Sequence, residues 1–469
     1  MKNSKTVWVL ALTSIASFMV ALDTLVVSTA LSTIRVHLHA SVAELEWTVN
    51  AYNLSFAVLL LTAAALGDRL GRRRVFASGL GLFAIASAAC ALAPDAGTLI
   101  AARAVQGAGA ALVMPLAIAI VSSAFPAERR GTAIGLLMAV TGLAVAGGPL
   151  VGGAIAQGIS WQWIFWVNVP IGLLTIPFVL ARIPESRGPD AALDIRGLLL
   201  VTGAALGIVW ALVRGNAAGW ASAEVLGALA GGLVLLGAFV GWERRAAEPM
   251  LPTRLFRSRA FSAGNTAIFF TFASLFGAVF FLAQFLQTGL GYGPFGAGLR
   301  LMPWTATLFF VAPVAGALAD RFGERPFMVG GLLLQATGMT WIALIAEPGL
   351  AYGRLIAPLM VAGIGISMAI PSASSSVLAS VEEGAIGKAS GANAMMRELG
   401  GVFGIAVLVA VFSGAGGYTS AQAFTDGFAP ALGVCAGLGV AGAIAGAALP
   451  GRRRYTALAP SGTPAPAPR

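Results

Sequence analysis

Four charged residues of this chain lie inside long apolar stretches. Asp23 stands in the first stretch, Arg103 in the fourth, and the adjacent Arg397 and Glu398 in the thirteenth. A charge at the centre of a bilayer costs roughly 2.5–3.5 kcal/mol on insertion scales, so such residues usually face a cavity or a partner. A carboxylate in that position can take up and release a proton, and an arginine at similar depth can act as its counter-charge. The pattern predicts proton chemistry at Asp23 and Arg103, with Glu398 as a further candidate.

Composition identifies the elements that must hold these residues as membrane helices. Of the 469 residues, 58% are hydrophobic and 10% are charged, whereas a soluble domain has about 25% charged residues. The strands of a transmembrane barrel would alternate apolar and polar residues, but these stretches are apolar on all sides. The predicted fold class is therefore an all-α polytopic membrane protein. The sequence contains no P-loop and no plausible Ser-His-Asp set, so we expect a protein that is not an enzyme.

Apolar runs bounded by charge, glycine and proline predict fourteen spans. With both ends placed in the cytoplasm, 23 of the 29 lysines and arginines fall in cytoplasmic segments, as the positive-inside rule requires. The net charge of +10 therefore reflects topology and does not predict a nucleic-acid partner. The expected spans lie at approximately 8–34, 46–66, 75–93, 98–124, 132–157, 162–181, 195–214, 222–242, 261–288, 296–318, 327–346, 354–379, 388–414 and 427–449.

An internal repeat predicts how these spans are grouped. The segment Gly67-Asp68-Arg69-Leu70-Gly71-Arg72 follows the second span, and Ala319-Asp320-Arg321-Phe322-Gly323 follows the tenth. A repeat separated by an even number of spans is parallel, so two six-helix bundles joined by two extra helices explain the offset. We expect one bundle in residues 1–185, the inserted pair in 186–250, the second bundle in 251–450 and a flexible cytoplasmic tail in 451–469.

Several motifs give the chain a resemblance to the major facilitator superfamily, and within it to the fourteen-span drug:proton antiporters. The loop after the second span matches the superfamily's Asp-Arg-x-Gly-Arg pattern, with Ala64 where a glycine is usual. The stretch from Arg103 to Ala111 in the fourth span resembles its R-x-x-Q-G-x-G motif. The stretch around Asp23 resembles the drug antiporters' pattern, although Leu25 and Ser28 replace a threonine and an asparagine. The antiporter-associated motif of the fifth span contains Gly147, Gly148, Pro149, Gly152 and Gly153.

The resemblance implies a proton-coupled exporter of small amphipathic or lipophilic compounds that works by alternating access. It further implies a monomer in the inner (plasma) membrane, with no cofactor and no metal. The loop residues Asp68, Arg69, Gly71 and Arg72 would form an inner latch. From their positions in the spans, we expect a substrate cavity lined by Trp47, Tyr52, Asn53, Gln106, Gln284, Gln287 and Arg397, with Phe285 nearby.

Other interpretations of the same residues stay open at this point. Fourteen helices could form a channel or passive facilitator, which needs no embedded titratable group, or a proton-coupled importer. Asp23 could cap or pack near the outer surface without titrating, and Arg103 could extend to that surface. Adjacent Arg397 and Glu398 point about 100° apart on a helix and need not pair. His37 and His39 are too few for a metal site and are expected at the surface.

Overall fold

The structure is a computed structural model that describes residues 2–188, 193–381 and 386–450. In this part of the chain the regular secondary structure is entirely helical, with a 3₁₀ turn at Thr253–Arg257 and a π turn at Phe285–Gly289. The α-helices are Lys2–Leu38, Val42–Leu70, Arg72–Ala91, Ala96–Ala124, Ala127–Gly158, Trp163–Trp166, Asn168–Arg182, Ile195–Ala218, Ala223–Glu243, Arg259–Gln284, Pro294–Arg300, Met302–Thr305, Thr307–Phe322, Glu324–Ile345, Gly353–Leu378, Ile386–Ala415 and Ala421–Ala447.

Fourteen segments of the described chain are long and apolar enough to cross a membrane, in agreement with the predicted all-α, fourteen-span architecture. We number them span 1 to span 14. Three of them combine several helical pieces: span 6 covers Trp163–Arg182, span 9 covers Arg259–Gly289, and span 10 covers Pro294–Ala319. Because the number of spans in the described residues is even, the two ends of the described chain lie on the same side, which we call the proximal side; the opposite side is the distal side.

Polar residues at the helix ends explain where several spans begin. Ser41 and Glu44 form a capping box at the distal start of span 2, in which the Ser41 amide donates to the Glu44 carboxylate over 2.8 Å. Asp95 caps span 4 by accepting a hydrogen bond of 2.7 Å from the Thr98 amide. Such bonds satisfy N–H groups that a helix leaves unpaired in its first turn. Ser222, Ser258 and Ser420 cap spans 8, 9 and 14 in the same way.

The spans pack in two sets. Span 4 packs on spans 2 and 3, and span 1 packs on span 5; in the second set, span 9 packs on spans 13 and 14, and span 11 on spans 12 and 14. Spans 7 and 8 pack on each other, and span 7 also packs on spans 2 and 13. The sets meet where span 2 contacts span 13, span 1 contacts span 9, and span 5 contacts span 10. The domain boundaries derived from the repeat stay a prediction.

The two sets are in close contact near the distal side. The Gln287 side-chain amide of span 9 donates to the Thr29 carbonyl of span 1 over 3.0 Å. The Phe295 amide of span 10 donates to the Gln157 side chain of span 5, also over 3.0 Å. These bonds join spans 1 and 5 to spans 9 and 10, so this conformation is held together at the distal ends of those helices.

Candidate functional site

The Asp23 carboxylate lies at the centre of a buried polar network. It accepts a short hydrogen bond from the Arg103 guanidinium, one of 2.9 Å from the Gln106 side-chain amide and one of 3.0 Å from the Asn168 side-chain amide. Asp23 is 1% exposed and Arg103 is 0% exposed. The two residues therefore form a buried ion pair. Asp23 therefore does not cap a helix near the outer surface, and the Arg103 side chain does not extend to that surface.

The Arg103 guanidinium is held in place from several directions. Its Nε donates to the Thr48 carbonyl over 3.1 Å, and one Nη donates to the Gln106 side chain over 2.6 Å. The Tyr52 ring packs on the guanidinium, with 4.2 Å between its centroid and Cζ, a cation–π geometry. Gln106 also donates to the Ser87 hydroxyl over 2.8 Å. The network thus links spans 1, 2, 3, 4 and 6, and its charge-assisted bonds are of the stronger kind.

A small cavity of about 10 Å³, which is room for about one water molecule, lies between the two sets of spans, beside this network. Thr24, the residue after Asp23, lines it, and Asn53 lines it from span 2. Phe276 and Phe280 of span 9 form the opposite wall. The lining of this cavity is therefore mostly apolar with a few polar groups, a composition that small-molecule sites share. The remaining lining residues are Leu25, Ser28, Val49, Val279 and Ile405.

Of the residues predicted to line a cavity, Asn53 does so, and the structure places the others elsewhere. Tyr52 and Gln106 belong to the buried network instead, because their side chains point from spans 2 and 4 into the first set of helices. The Trp47 ring lies 6.3 Å from that of Trp210 on span 7. The periodicity of a helix that is apolar on all sides gives no indication of which face meets a neighbour.

The predicted cavity residues of span 9 are engaged in packing. Gln284 donates to the Phe280 carbonyl over 2.8 Å and accepts a short bond from the Tyr418 hydroxyl. Phe285 stacks on Phe428 with 4.2 Å between ring centroids. Gln287 takes part in the distal contact with span 1 described above. These three side chains stabilise the second set of helices and its junction with the first.

Arg397 and Glu398 pair with each other, which the sequence left open. The Arg397 Nε donates to the Glu398 carboxylate over 2.9 Å. The long arginine side chain can bend back across the 100° that separates neighbouring residues. Glu398 is buried, and its second carboxylate oxygen has no hydrogen-bond partner within the described ranges. It therefore remains a candidate second carboxylate on span 13.

The repeated loops have the same backbone geometry on the proximal side. Gly71 has φ +112° and Gly323 has φ +92°, values that favour glycine. Asp68 accepts a bond of 2.7 Å from the Arg72 Nε, so the first loop has an internal ion pair. Gly67 packs on Leu116 of span 4. Arg69 and Arg321 are exposed, and the Asp320 side chain lies outside what the structure describes.

Glu185, which the motifs did not single out, ties the first loop to the segment after span 6. Its carboxylate accepts a bond of 2.9 Å from the Arg73 amide and lies 3.6 and 3.7 Å from the guanidinium nitrogens of Arg73 and Arg74. The Gly188 amide donates to the Asp68 carbonyl over 3.2 Å. In the sequence, this contact is indicated by a carboxylate just after span 6 and a run of three arginines just after span 2, since both segments lie on the proximal side. Asn168, which binds Asp23, was likewise not among the predicted site residues.

The small residues of span 5 face two different partners. A Cβ added to Gly152 would lie 2.3 Å from the Val26 carbonyl oxygen of span 1, and one added to Gly148 would lie 3.0 Å from the Leu25 Cβ. A Cβ added to Gly153 would instead lie 2.3 Å from the Pro294 carbonyl oxygen of span 10. Span 5 is therefore in close backbone contact with both sets of helices at its distal end. The Pro149 carbonyl meets Gly298 of span 10 in the same contact.

Comparison with known proteins agrees with this architecture. The family model of the Major Facilitator Superfamily matches residues 13–405. The chain belongs to this superfamily. It is thus a multi-pass membrane protein of a transporter family. This membership explains the sequence motifs that resemble those of the superfamily.

Relatives within the superfamily carry names that refer to resistance and export. The chain is 33% identical over 398 residues to the tetracenomycin C resistance and export protein of Streptomyces glaucescens, covering 84% of this chain and 74% of the relative. It is 33% identical over 403 residues to the multidrug resistance protein Stp of Mycobacterium tuberculosis, covering 86% and 75%. The xylose transporter XylE from E. coli, in a partially occluded inward open conformation, shares the fold, with a TM-score of 0.64, 15% identity and coverage of 94% and 97%.

Proposed function

We propose that this protein exports small amphipathic or lipophilic compounds from the cytoplasm in exchange for protons. The protein would lie in the inner (plasma) membrane, and the proximal side, with both chain ends, would face the cytoplasm. It would act as a monomer. The bias of basic residues toward proximal segments supports the orientation. The names of the related resistance and export proteins support drug-like substrates.

The buried Asp23–Arg103 pair beside the cavity is the observation that carries the proposal. Protonation of Asp23 would remove the counter-charge of Arg103, and breaking a buried ion pair by removing one partner costs about 3–5 kcal/mol. Moving a two-state equilibrium from 1:99 to 99:1 takes about 5.5 kcal/mol. One proton at Asp23 therefore supplies most of the free energy needed to favour a different arrangement of the helices.

The position of Asp23 connects this proton to the substrate. Its neighbour Thr24 lines the cavity, and Ser28 lines it one turn further along span 1. A rearrangement of span 1 that follows release of Arg103 changes the cavity wall directly. The apolar wall formed by Phe276 and Phe280 suits the hydrophobic part of an amphipathic compound.

The cavity between the two sets of spans would be closed alternately at the distal and the proximal ends of the helices. At the distal side, spans 5 and 10 meet at Gly153 and Gly298. At the proximal side, spans 2 and 13 meet at Leu61 and Gly391. Separation of the distal contact would release a compound outside, and separation of the proximal contact would admit one from the cytoplasm.

Transport by purified protein in vesicles with an imposed pH gradient tests the proposal. We expect the wild type to move a lipophilic dye uphill as protons dissipate, Asp23→Asn to lose this activity, and Asp23→Glu to keep part of it. Asp95→Asn is the matched control, because it removes the same charge on the distal side while asparagine still caps span 4.

Each outcome of the vesicle experiment distinguishes one interpretation. Uphill export by Asp23→Asn would exclude Asp23 as the coupling carboxylate and direct attention to Glu398. Movement of the dye by the wild type only down its own gradient would indicate a passive facilitator. Uphill movement in the same direction as the protons would indicate an importer.

A further inference from the structure

Span 2 carries a stripe of polar side chains that the Asp23 network does not use. Glu46, Asn50 and Asn53 are separated by four and three residues, so they share one face of the helix. Their exposed fractions are 0%, 0% and 1%. We call these three residues the span 2 stripe. Neither the motifs nor the periodicity drew attention to Glu46, because it stands only one turn inside the helix.

Each member of the span 2 stripe has an unsatisfied acceptor. The one bond between them runs from the Asn50 side-chain amide to the Glu46 Oε1 over 3.1 Å. The Glu46 Oε2, the Asn50 Oδ1 and the Asn53 Oδ1 have no hydrogen-bond partner in the part of the chain that the structure describes, and no described cation lies within 4.0 Å of Glu46. Buried polar atoms are normally hydrogen-bonded, and a buried carboxylate is normally paired.

The stripe leads from the cavity toward the distal side. Asn53 lines the cavity together with Val49, and Glu46 lies almost two turns closer to the distal start of span 2 at Val42. Span 2 contacts span 13 of the other set of helices, and the cavity wall opposite Asn53 belongs to span 9. The stripe is therefore placed along the route between the cavity and the distal surface.

The unsatisfied oxygens define the chemistry of a ligand. Three acceptors, one of them on a carboxylate without a counter-ion, call for a group that donates hydrogen bonds and carries positive charge. Asp23 cannot serve the same group in this conformation, because Arg103, Gln106 and Asn168 already donate to it. Phe276 and Phe280 supply an aromatic surface across the cavity, which suits the apolar part of a cation.

We propose that the span 2 stripe is a second binding site, which takes the N–H-bearing cationic group of an exported compound on its way from the cavity to the distal side. The proposal relies on the proposed export function only for the direction of travel. Neutral compounds would use the cavity without this site. The stripe would thereby determine which charge class of compound the protein handles.

Binding of two dyes to the purified full-length protein in lipid nanodiscs tests the site. Ethidium is a planar cation with N–H donors, and Nile red is a neutral dye of comparable size. We expect Glu46→Gln to weaken ethidium binding at least about tenfold, because a hydrogen bond to a charged group is lost, and to leave Nile red binding unchanged. Glu44→Gln is the matched control, since it removes a charge only two residues away and glutamine can still form the capping box.

Further results would overturn the site or separate it from the export proposal. Equal ethidium affinities of wild type and Glu46→Gln, or no ethidium binding by the wild type, would refute it. If Glu46→Gln does not fold, as shown by lost Nile red binding, Asn50→Ala, which leaves the cavity lining unchanged, is used instead and should weaken ethidium binding alone. Glu46-dependent ethidium binding without any proton-driven transport would contradict the export function and leave the site standing. Proton-driven transport together with ethidium binding that does not depend on Glu46 would support the export function and refute the site.

Discussion

Replacing Gly153 by alanine should open the distal contact between spans 5 and 10. The added Cβ would lie 2.3 Å from the Pro294 carbonyl oxygen and 2.9 Å from the Phe295 Cα. Contacts below 3.0 Å are essentially never tolerated, and here the opposing atoms are backbone, so the helices must move apart by almost 1 Å. Overpacking of this kind costs about 1–3 kcal/mol, which corresponds to about a 5- to 150-fold shift away from the distally closed state.

Distances between spin labels on the two helices measure this shift. Ile159 and Leu299 are 66% and 47% exposed, so labelled cysteines at these positions report the separation of the distal ends. The two native cysteines are buried and should not react with the label. We expect a longer distance to become populated in Gly153→Ala and the wild-type distribution to persist in Gly147→Ala.

Gly147 is the matched control because it lies in the same motif with nothing among the described residues within 4 Å of its added Cβ. An unchanged distance distribution in Gly153→Ala would refute the steric reasoning. An equal change in both variants would mean that any alanine in span 5 alters the helix, independently of its contact with span 10.

Two further predictions concern the proximal loop and the topology. Gly71→Val should lower transport in vesicles while membrane insertion is retained. The reason is that φ +112° suits only glycine, and a Cβ there would lie 2.8 Å from the Glu185 carboxyl carbon. Normal transport by this variant would contradict a role for the loop. A cysteine at Ala217, at the distal end of span 7, should react with an impermeant reagent added outside the cell, and one at Arg257 should not. The opposite pattern would reverse the orientation.

The amino-acid sequence predicts the membrane helices and their motifs, and these predictions agree with the structure. Fourteen apolar runs matched fourteen spans because the bilayer fixes the length and composition of a spanning helix. Asp23 and Arg103 were identifiable because charge inside such a run is costly. The repeated glycines, Gly71 and Gly323, were identifiable because both stand in the Asp-Arg-x-Gly segment that follows a span, and in the structure both adopt positive φ.

The faces of the helices were harder to predict. A spanning helix is apolar toward lipid and apolar toward protein, so periodicity does not indicate which side chains meet a cavity. For this reason the sequence did not predict that Trp47 packs near Trp210, or that Gln284 and Gln287 form hydrogen bonds with Tyr418 and Thr29. Glu185 was not identified because its partners lie on another helix, more than a hundred residues away in the chain.

The sequence by itself determined the class of the protein, the number of its spans, the family motifs and the charges that must be buried, because hydropathy and spacing are local properties of the chain. Only the tertiary structure decided that Asp23 binds Arg103, Gln106 and Asn168. It also decided that Asn53 faces the cavity and that Glu46 lies buried without a cation near it among the described residues. These relations depend on how each helix is rotated against its neighbours, and in a membrane that rotation is set by close packing and hydrogen bonds between helices, not by a difference between apolar and polar faces.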